Sequence, residues 1–570
     1  MHRRYFIRAS AFTTALFLLQ SKVKAGMALL DSMFRKNRPD DKGWPTEAQW
    51  MELSKAVSGH LYPLKDVAYN EAVFKNPYAI GDNPSLTQTR GWFKAWTSNP
   101  SAWVLEAHNA QEISEAIRFA NQHRLRVVVK GGGHSYQGNS CSKDSLLIWT
   151  RKMNAIELQD DTVTIESGAV WMQAYDAVTT KGKRYVQGGG CATVGVAGLI
   201  QSGGFGSFSK QFGLAAAGLL EAEVVTADGK IKTVNEQNDP DLFWALKGGG
   251  GGNFAVVIKL KLRTHVLPEF FGAATGKISA SSDEAYKHLI SGLMSHYRDH
   301  LLKPNWGEQI RFRTNRRIDI NMMFAGLTKE QANVDWQPFM DWVKEQQGIK
   351  WDTTLNVVAL PAQHLWNGAF LKKYAPDAIK IDDRPGAPES NIYWAGDGEE
   401  AGQFLHAYHS AWIPEELLSD AKLERLAEAI FKAGSLWTVS LHFNKGLAGS
   451  SEAVRNEASH TAMNPLVSKS FALAIIAGGT TDKEPDMKKA MSARAAIDQS
   501  MNELTKVLPE RGSYVSESSF FEAGWQHSFW GNNYEKLKAV KKKYDPTGLF
   551  FMHHGAGSEN WSQDGFEKKI

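Results

Sequence analysis

The sequence predicts an α+β protein of more than one domain, and three observations predict it. The chain has 570 residues, more than one ordinary core fills. Between about residues 60 and 270, short apolar runs alternate with amphipathic stretches and glycine-rich loops. From about 271 to 500 the glycine clusters thin out, tryptophan becomes more frequent and longer strand-like runs appear. The expected layout is one domain, a second inserted into it, and a C-terminal piece returning to the first.

The elements follow in order. A helix is expected around Glu47–Ser58 in an otherwise irregular N-terminal arm. VLEAH (104–108) reads as a short strand, AQEISEAIRFANQHR (110–124) spaces its apolar residues near 3.6, and LRVVVK (125–130) is a buried strand. SLLIWT (145–150) and TVTIESGA (162–169) read as strands, and WMQAYDAVTTKG (171–182) as a helix. EAEVVTADGKIKTV (221–234) is a hairpin turning at Asp228-Gly229. Residues 241–265 give a helix, a glycine-rich loop and a strand. In the middle third, DEAYKHLISGLMSHYRDHL (283–301) is helical, while RIDINMMFAG, TTLNVVALP and FALAIIAGG are strand-like. The tail from Gly512 ends in YDPTGLFF, and no repeat or long linker interrupts the chain.

Composition excludes some functions. The 43% hydrophobic and 22% charged fractions are those of a globular protein. Arg3, Arg4, Arg8, Lys22 and Lys24 account for the formal charge of +4, so the remainder is near neutral and offers no basic surface for nucleic acid. HRRYFIRASAFTTALFLLQSKVKA (2–25) fits a twin-arginine export signal, with an unremarkable N-terminal helix as the alternative. Its apolar run is too short to span a bilayer, so no stable membrane anchor is expected. The export reading implies a bacterial periplasmic or secreted protein handled by the twin-arginine translocase. The two cysteines, Cys141 and Cys191, would first suggest a disulfide in an exported chain.

Three segments concentrate glycine beside apolar strands: KGGGHS (130–135), GGGCATVGVAGLIQSGGFGSF (188–208) and KGGGGGNF (247–254). Freed backbone amides in such loops suit a diphosphate. None has the placement of a Rossmann GxGxxG or the sequence of a P-loop.

VVVKGGGHSYQGNS (127–140), residues 189–229, DPDLFWALKGGGGGNFAVV (239–257) and WGNNYEKLKAVKKKYDPTGLF (530–550) resemble the berberine-bridge-enzyme-like oxidases of the vanillyl-alcohol-oxidase superfamily. The resemblance covers roughly 80–265 and 510–555, and LHFNKGLAGSSE (441–452) is similar to a bacterial and fungal subgroup with bicovalent flavin. It implies a PCMH-type FAD-binding domain of two α+β subdomains, with an inserted substrate domain of antiparallel sheet flanked by helices. The boundaries implied are a signal at 1–25, the FAD domain at 26–270 with its core at about 95–268, the substrate domain at 271–505 and a returning segment at 506–570.

The resemblance also assigns residues. His134 matches the histidine bonded to the flavin 8α-methyl, and Cys191 the cysteine bonded to flavin C6. Lys130, Gly131, Gly132, Gly133, Ser135, Tyr136 and Gly138 fall in the first FAD loop. Thr193, Val194, Gly198, Ser202, Gly203, Gly204 and Gly206 fall in the second. Gly252, Asn253 and Val256 belong to the third, and Asn533 to the C-terminal motif. Val194 stands where a small side chain leaves room for O2, favouring an oxidase that releases hydrogen peroxide.

The proton acceptor departs from the family's pattern. Where the family carries Y-x-N-Y, this chain reads Tyr514-Val-Ser516-Glu517, which puts a tyrosinate in doubt and offers Glu517 as a base, with Tyr514 and His442 as further candidates. Glu517 as a solvated surface acid is the competing reading. His406 and His409 are spaced three apart, but no cysteine or HExxH accompanies them and no metal is expected. The function implied is FAD-dependent oxidation of an alcohol, carbohydrate or aromatic, to a carbonyl. A dehydrogenase passing electrons to a quinone or cytochrome, or a flavin carrier without turnover, are the alternatives.

Overall fold

A computed structural model describes residues 35–569 except 66, 68 and 69. The export signal expected at 1–25 lies outside the described residues.

Two small sheets carry the glycine loops. In the first, the strand order is Leu61–Pro63, Trp103–Glu106, Ser145–Trp149, Arg126–Lys130, the last three parallel to one another. The helix Ala110–Gln122 makes the crossover between two of these strands; Asn109 caps it by accepting from Glu112 N, and it buries Ile113, Ala116, Ile117 and Ala120. The second sheet is antiparallel, ordered Ile231–Val234, Leu219–Thr226, Ala255–Arg263, Thr162–Glu166, Ile156–Gln159. Val225, Ala227, Val256 and Ile258 of this sheet join Ile117, Val127 and Ile148 of the first in one apolar core. The C-terminal tail returns here: Phe550 bridges Val127, and Lys541 Nζ donates to Asn253 O and Phe550 O while pairing with Asp545 at 2.7 Å.

The middle third builds a nine-stranded sheet. Its order is Ile349–Pro361, Phe270–Ala280, Arg317–Ala325, Trp306–Phe312, Val439–His442, Ser470–Thr480, Gln403–Pro414, Thr89–Trp92, Trp96–Thr97. Helices Asp283–His296, Lys329–Glu345, Asp420–Leu436 and Met487–Thr505 cover it, enclosing a second core that includes Leu293, Trp336, Ile320, Leu426 and Ile476.

One feature departs from the expected division. Thr89–Trp92, placed with the FAD-binding part by sequence, runs parallel to Gln403–Pro414 and extends the far sheet. A four-residue strand carries no mark of which sheet it will join, because backbone pairing is indifferent to sequence distance.

Candidate functional site

The glycine loops are fitted to each other through backbone. A Cβ on Gly132 would lie 2.6 Å from Thr193 O and 2.7 Å from Gly195 N, so only glycine lets the loop after Arg126–Lys130 meet the loop before helix Val196–Gln201. Gly133 and Gly138 adopt φ +77 and +74, turning the chain so that Trp96 Nε1 reaches Tyr136 O at 3.1 Å. Ser135 Oγ accepts from Gln137 N and Asn139 N, holding that turn. His134 Nε2 lies 2.9 Å from Thr193 Oγ1, and burial lowers its pKa to about 4, so the imidazole is neutral.

Lys130 requires a correction. Its Nζ donates to Asn83 O at 2.7 Å and to Leu86 O, so it ties the N-terminal arm over the loop instead of facing the cofactor. Burial brings its pKa down to about 8. Val256 also serves packing: its side chain is fully buried in the core between the two small sheets. Asn533 acts at one remove, donating to Met463 O at 2.8 Å, and Met463 packs against Gly203 and Gly248.

The remaining glycines leave room. Nothing lies within 4 Å of a Cβ built on Gly198 or on Gly252. Among the described residues, Asn253 Nδ2 and Gln201 Oε1 are buried without a hydrogen-bond partner. Gly204 and Ser202 close the same loop, and Gly206 passes Gly188 O too closely for any side chain. Open space beside glycine backbone, together with orphaned polar atoms, fits the nucleotide cofactor that the motifs imply.

Both cysteines are free. The disulfide alternative is overturned: Cys141 is buried with its Sγ 3.3 Å from Pro84 O, whereas Cys191 is exposed to the cleft. The charge of Asp397 pushes the Cys191 thiol pKa well up. Asp397 Oδ2 also accepts from Ala192 N at 2.9 Å, and burial lifts this carboxyl to about 6. Val194 is half-buried, its carbonyl accepting from Trp171 N at 3.0 Å.

A polar cluster faces these loops from the large sheet and the tail. Lys445 Nζ donates to Glu517 Oε1 at 2.6 Å, so Glu517 is an ion-paired acid and not a solvated one. Glu308 sits on the strand Trp306–Phe312 at φ +67, accepts from Ser207 Oγ at 2.5 Å, and has its pKa raised by burial. Glu400 opens on the cleft, with its pKa raised by burial and then by Asp397. The phenols of Tyr136 and Tyr408, rings 5.0 Å apart, are pushed well above their usual range by burial and by Glu400 and Glu517. Tyr514 is buried against Phe205, its N–H donating to Ser410 Oγ at 3.2 Å, with its phenol likewise raised by burial. His442 Nε2 lies 3.1 Å from Ser440 Oγ, and burial keeps its ring neutral.

His406 and His409 belong to the strand Gln403–Pro414, whose register shifts between Leu405 and Ala407. His409 instead pairs with Asp498 at 2.7 Å. His553 stacks on Phe520 at 3.7 Å and closes the tail.

Sequence reasoning missed Glu308, Asp397 and Glu400. The first lies in an ordinary strand, and the other two in AGDGEE, which reads as a solvated acidic turn.

Comparison with known proteins agrees with the geometry. The family model described as FAD binding domain matches residues 101–235, and that described as Berberine and berberine like matches 513–556. A VAO-type flavoprotein oxidase of Thermothelomyces thermophilus is 26% identical, over 92% of this chain and 93% of that protein. An FAD-linked oxidoreductase of Gibberella zeae is 27% identical over the same shares. Among solved structures, a VAO-type flavoprotein from Myceliophthora thermophila C1 superposes with TM-score 0.74 at 23% identity, covering 93% of this chain and 98% of its own. A glucooligosaccharide oxidase from Acremonium strictum, described with a 6-S-cysteinyl, 8α-N1-histidyl FAD, gives 0.67 at 21%, covering 88% and 98%. The fold and loops define an FAD-dependent oxidoreductase. Residues 513–556 match the berberine-like model, and the chain resembles VAO-type flavoprotein oxidases over most of its length. These named relatives are fungal, and they lend the bacterial reading no support.

Proposed function

We propose that this protein is an oxidase that holds FAD covalently through His134 and Cys191 and converts an alcohol, on a carbohydrate or an aromatic compound, to a carbonyl. Bound FAD supplies the hydride acceptor at N5 and the reaction with O2 that yields hydrogen peroxide. The observation that carries the reading is the polar cluster beside the two attachment residues. Its tyrosines have phenols raised by burial and surrounding carboxylates, so a phenolate is disfavoured. Its acids include Glu400 and Glu308, raised toward the working range of a base. The substrate hydroxyl proton therefore goes to a carboxylate. Glu517, fixed by Lys445, is the acceptor, and its charge adds to the burial and the Asp397 charge that raise Glu400. Tyr514 and His442 line and orient.

The neutral His134 imidazole suits attachment, since a protonated ring is no nucleophile. Relatives of this fold named for glucooligosaccharides and xylooligosaccharides support a carbohydrate substrate. Export, inferred from residues 1–25, stays part of the proposal.

The test is a panel of oligosaccharides and benzylic alcohols under air, with peroxide detection, on wild type and Glu517→Gln. Turnover with peroxide and a fall of about 10²-fold or more in kcat for Glu517→Gln are expected. Flavin bleaching without peroxide would instead assign a dehydrogenase. An unchanged kcat in Glu517→Gln would remove Glu517 as the acceptor.

A further inference from the structure

Three consecutive residues of the second glycine loop are gripped by one short segment of the inserted region. Trp394 Nε1 donates to Gly190 O at 2.9 Å. Asp397 Oδ2 takes Ala192 N–H at 2.9 Å, and Cys191 stands between these two contacts with its thiol under the influence of the same carboxylate. The segment is the strand Ile392–Trp394 running into helix Ala395–Glu400. No motif that marks the flavin loops includes it.

We propose that Asp397 is the base that takes the Cys191 proton when the sulfur bonds flavin C6. The inference rests on the bicovalent reading above. Asp397 accepts from Ala192 N, which fixes that carboxylate against the cysteine's own backbone, and its charge acts on the reacting thiol more strongly than any other group. The other charged groups that face the thiol are Glu400 and Lys445. Two carboxylates against one ammonium disfavour a standing thiolate, so the proton must leave as the bond forms. Asp397 is the carboxylate fixed beside it.

The step balances. The S–H bond breaks and its proton passes to Asp397, while the sulfur lone pair forms the C–S bond at C6. The ring then holds the electron pair, and the hydrogen on C6 leaves as a proton when the ring regains its conjugation. Dioxygen takes up the two electrons and two protons as hydrogen peroxide. One thiol, one flavin and one O2 thus give one thioether and one peroxide.

The experiment uses purified holoenzyme, denatured and treated with iodoacetamide, with the Cys191 and His134 peptides read by mass. Wild type should show flavin on both peptides. Asp397→Asn keeps an oxygen for Ala192 N–H but is no base. It should retain flavin on His134 while Cys191 becomes free and alkylated, and Asp397→Glu should restore the thioether. Flavin still joined to Cys191 in Asp397→Asn at the wild-type level would overturn the proposal, leaving Asp397 as a positioning group only. An alkylated Cys191 in wild type would overturn the bicovalent reading itself and this inference with it. If Asp397→Asn holds no flavin at all, Asp397→Ser is read by the same two peptides.

Discussion

Gly132 and Gly434 show how differently the two halves of the molecule use one residue. Gly132 stands where two loops touch backbone to backbone, and an added methyl would meet Thr193 O at 2.6 Å. Gly434 lies within helix Asp420–Leu436, and an added methyl would make ordinary contact with Phe312 at 3.7 Å. On the loop side, glycine is demanded by geometry and marks a place where something else must fit. On the sheet side it is an unused opportunity. A glycine-rich loop region is therefore specified by what is missing from it, and the sheet region by the apolar volume that fills it.

The same substitution in both places breaks or confirms this contrast. Gly132→Ala forces backbone apart, because neither Thr193 O nor Gly195 N belongs to a side chain that can rotate away. The expected cost is above about 3 kcal/mol with loss of retained flavin, read by denaturant unfolding and by absorbance of the purified protein. Full flavin content in Gly132→Ala would show that the two loops do not need their contact.

Smaller in effect is the seam between the halves. Asp397 has its pKa lifted by burial from 3.8 to about 6, so the folded state binds its proton more tightly than the unfolded state. Its contribution is fully present below about pH 4 and is lost as pH rises through 6. Asp397→Asn should flatten this part of the stability–pH curve by of order 1 kcal/mol, since the group is partly exposed. Thermal unfolding of both proteins between pH 4 and 8 measures it. A parallel pair of curves would place the carboxyl in a wetter site than its contacts imply.

The smallest effect runs the other way. Gly434→Ala should raise stability by about 0.5–1 kcal/mol, since alanine loses less backbone entropy in a helix. Destabilisation there would mean that the sheet side is packed as tightly as the loops.

Much of the loop half was legible before the fold was seen, because glycine runs, His134 and Cys191 announce a local requirement for close approach. Lys130 was misread for the same reason. Its place beside three glycines put it among the FAD-loop residues, but the arm at Asn83–Leu86 folds back and takes its ammonium. The sheet half gave up its strands and helices through periodicity. It did not give up its part of the site, because Glu308, Asp397 and Glu400 come together only by tertiary folding. Glu308 alternates like any strand residue, and nothing local reports its positive φ. Glu517 was found only because it replaces an expected aromatic, and its partner Lys445 lies 72 positions away in sequence.

The pairing of Thr89 with Gln403 also constrains the order of events in time. During synthesis Thr89–Trp92 emerges early with only the two-residue strand Trp96–Thr97 to pair with, and its other neighbour, Gln403–Pro414, arrives after more than half of the polypeptide has followed it. Closing so long a loop is slow, and a parallel pair offers no nearby hairpin to guide it. The large sheet must gather its other strands before this edge docks, so assembly cannot proceed strictly from the N-terminus. Pulse-labelling hydrogen exchange should find Gly91 and Trp92 among the last amides protected. A nascent chain stalled before residue 403 should expose them to protease.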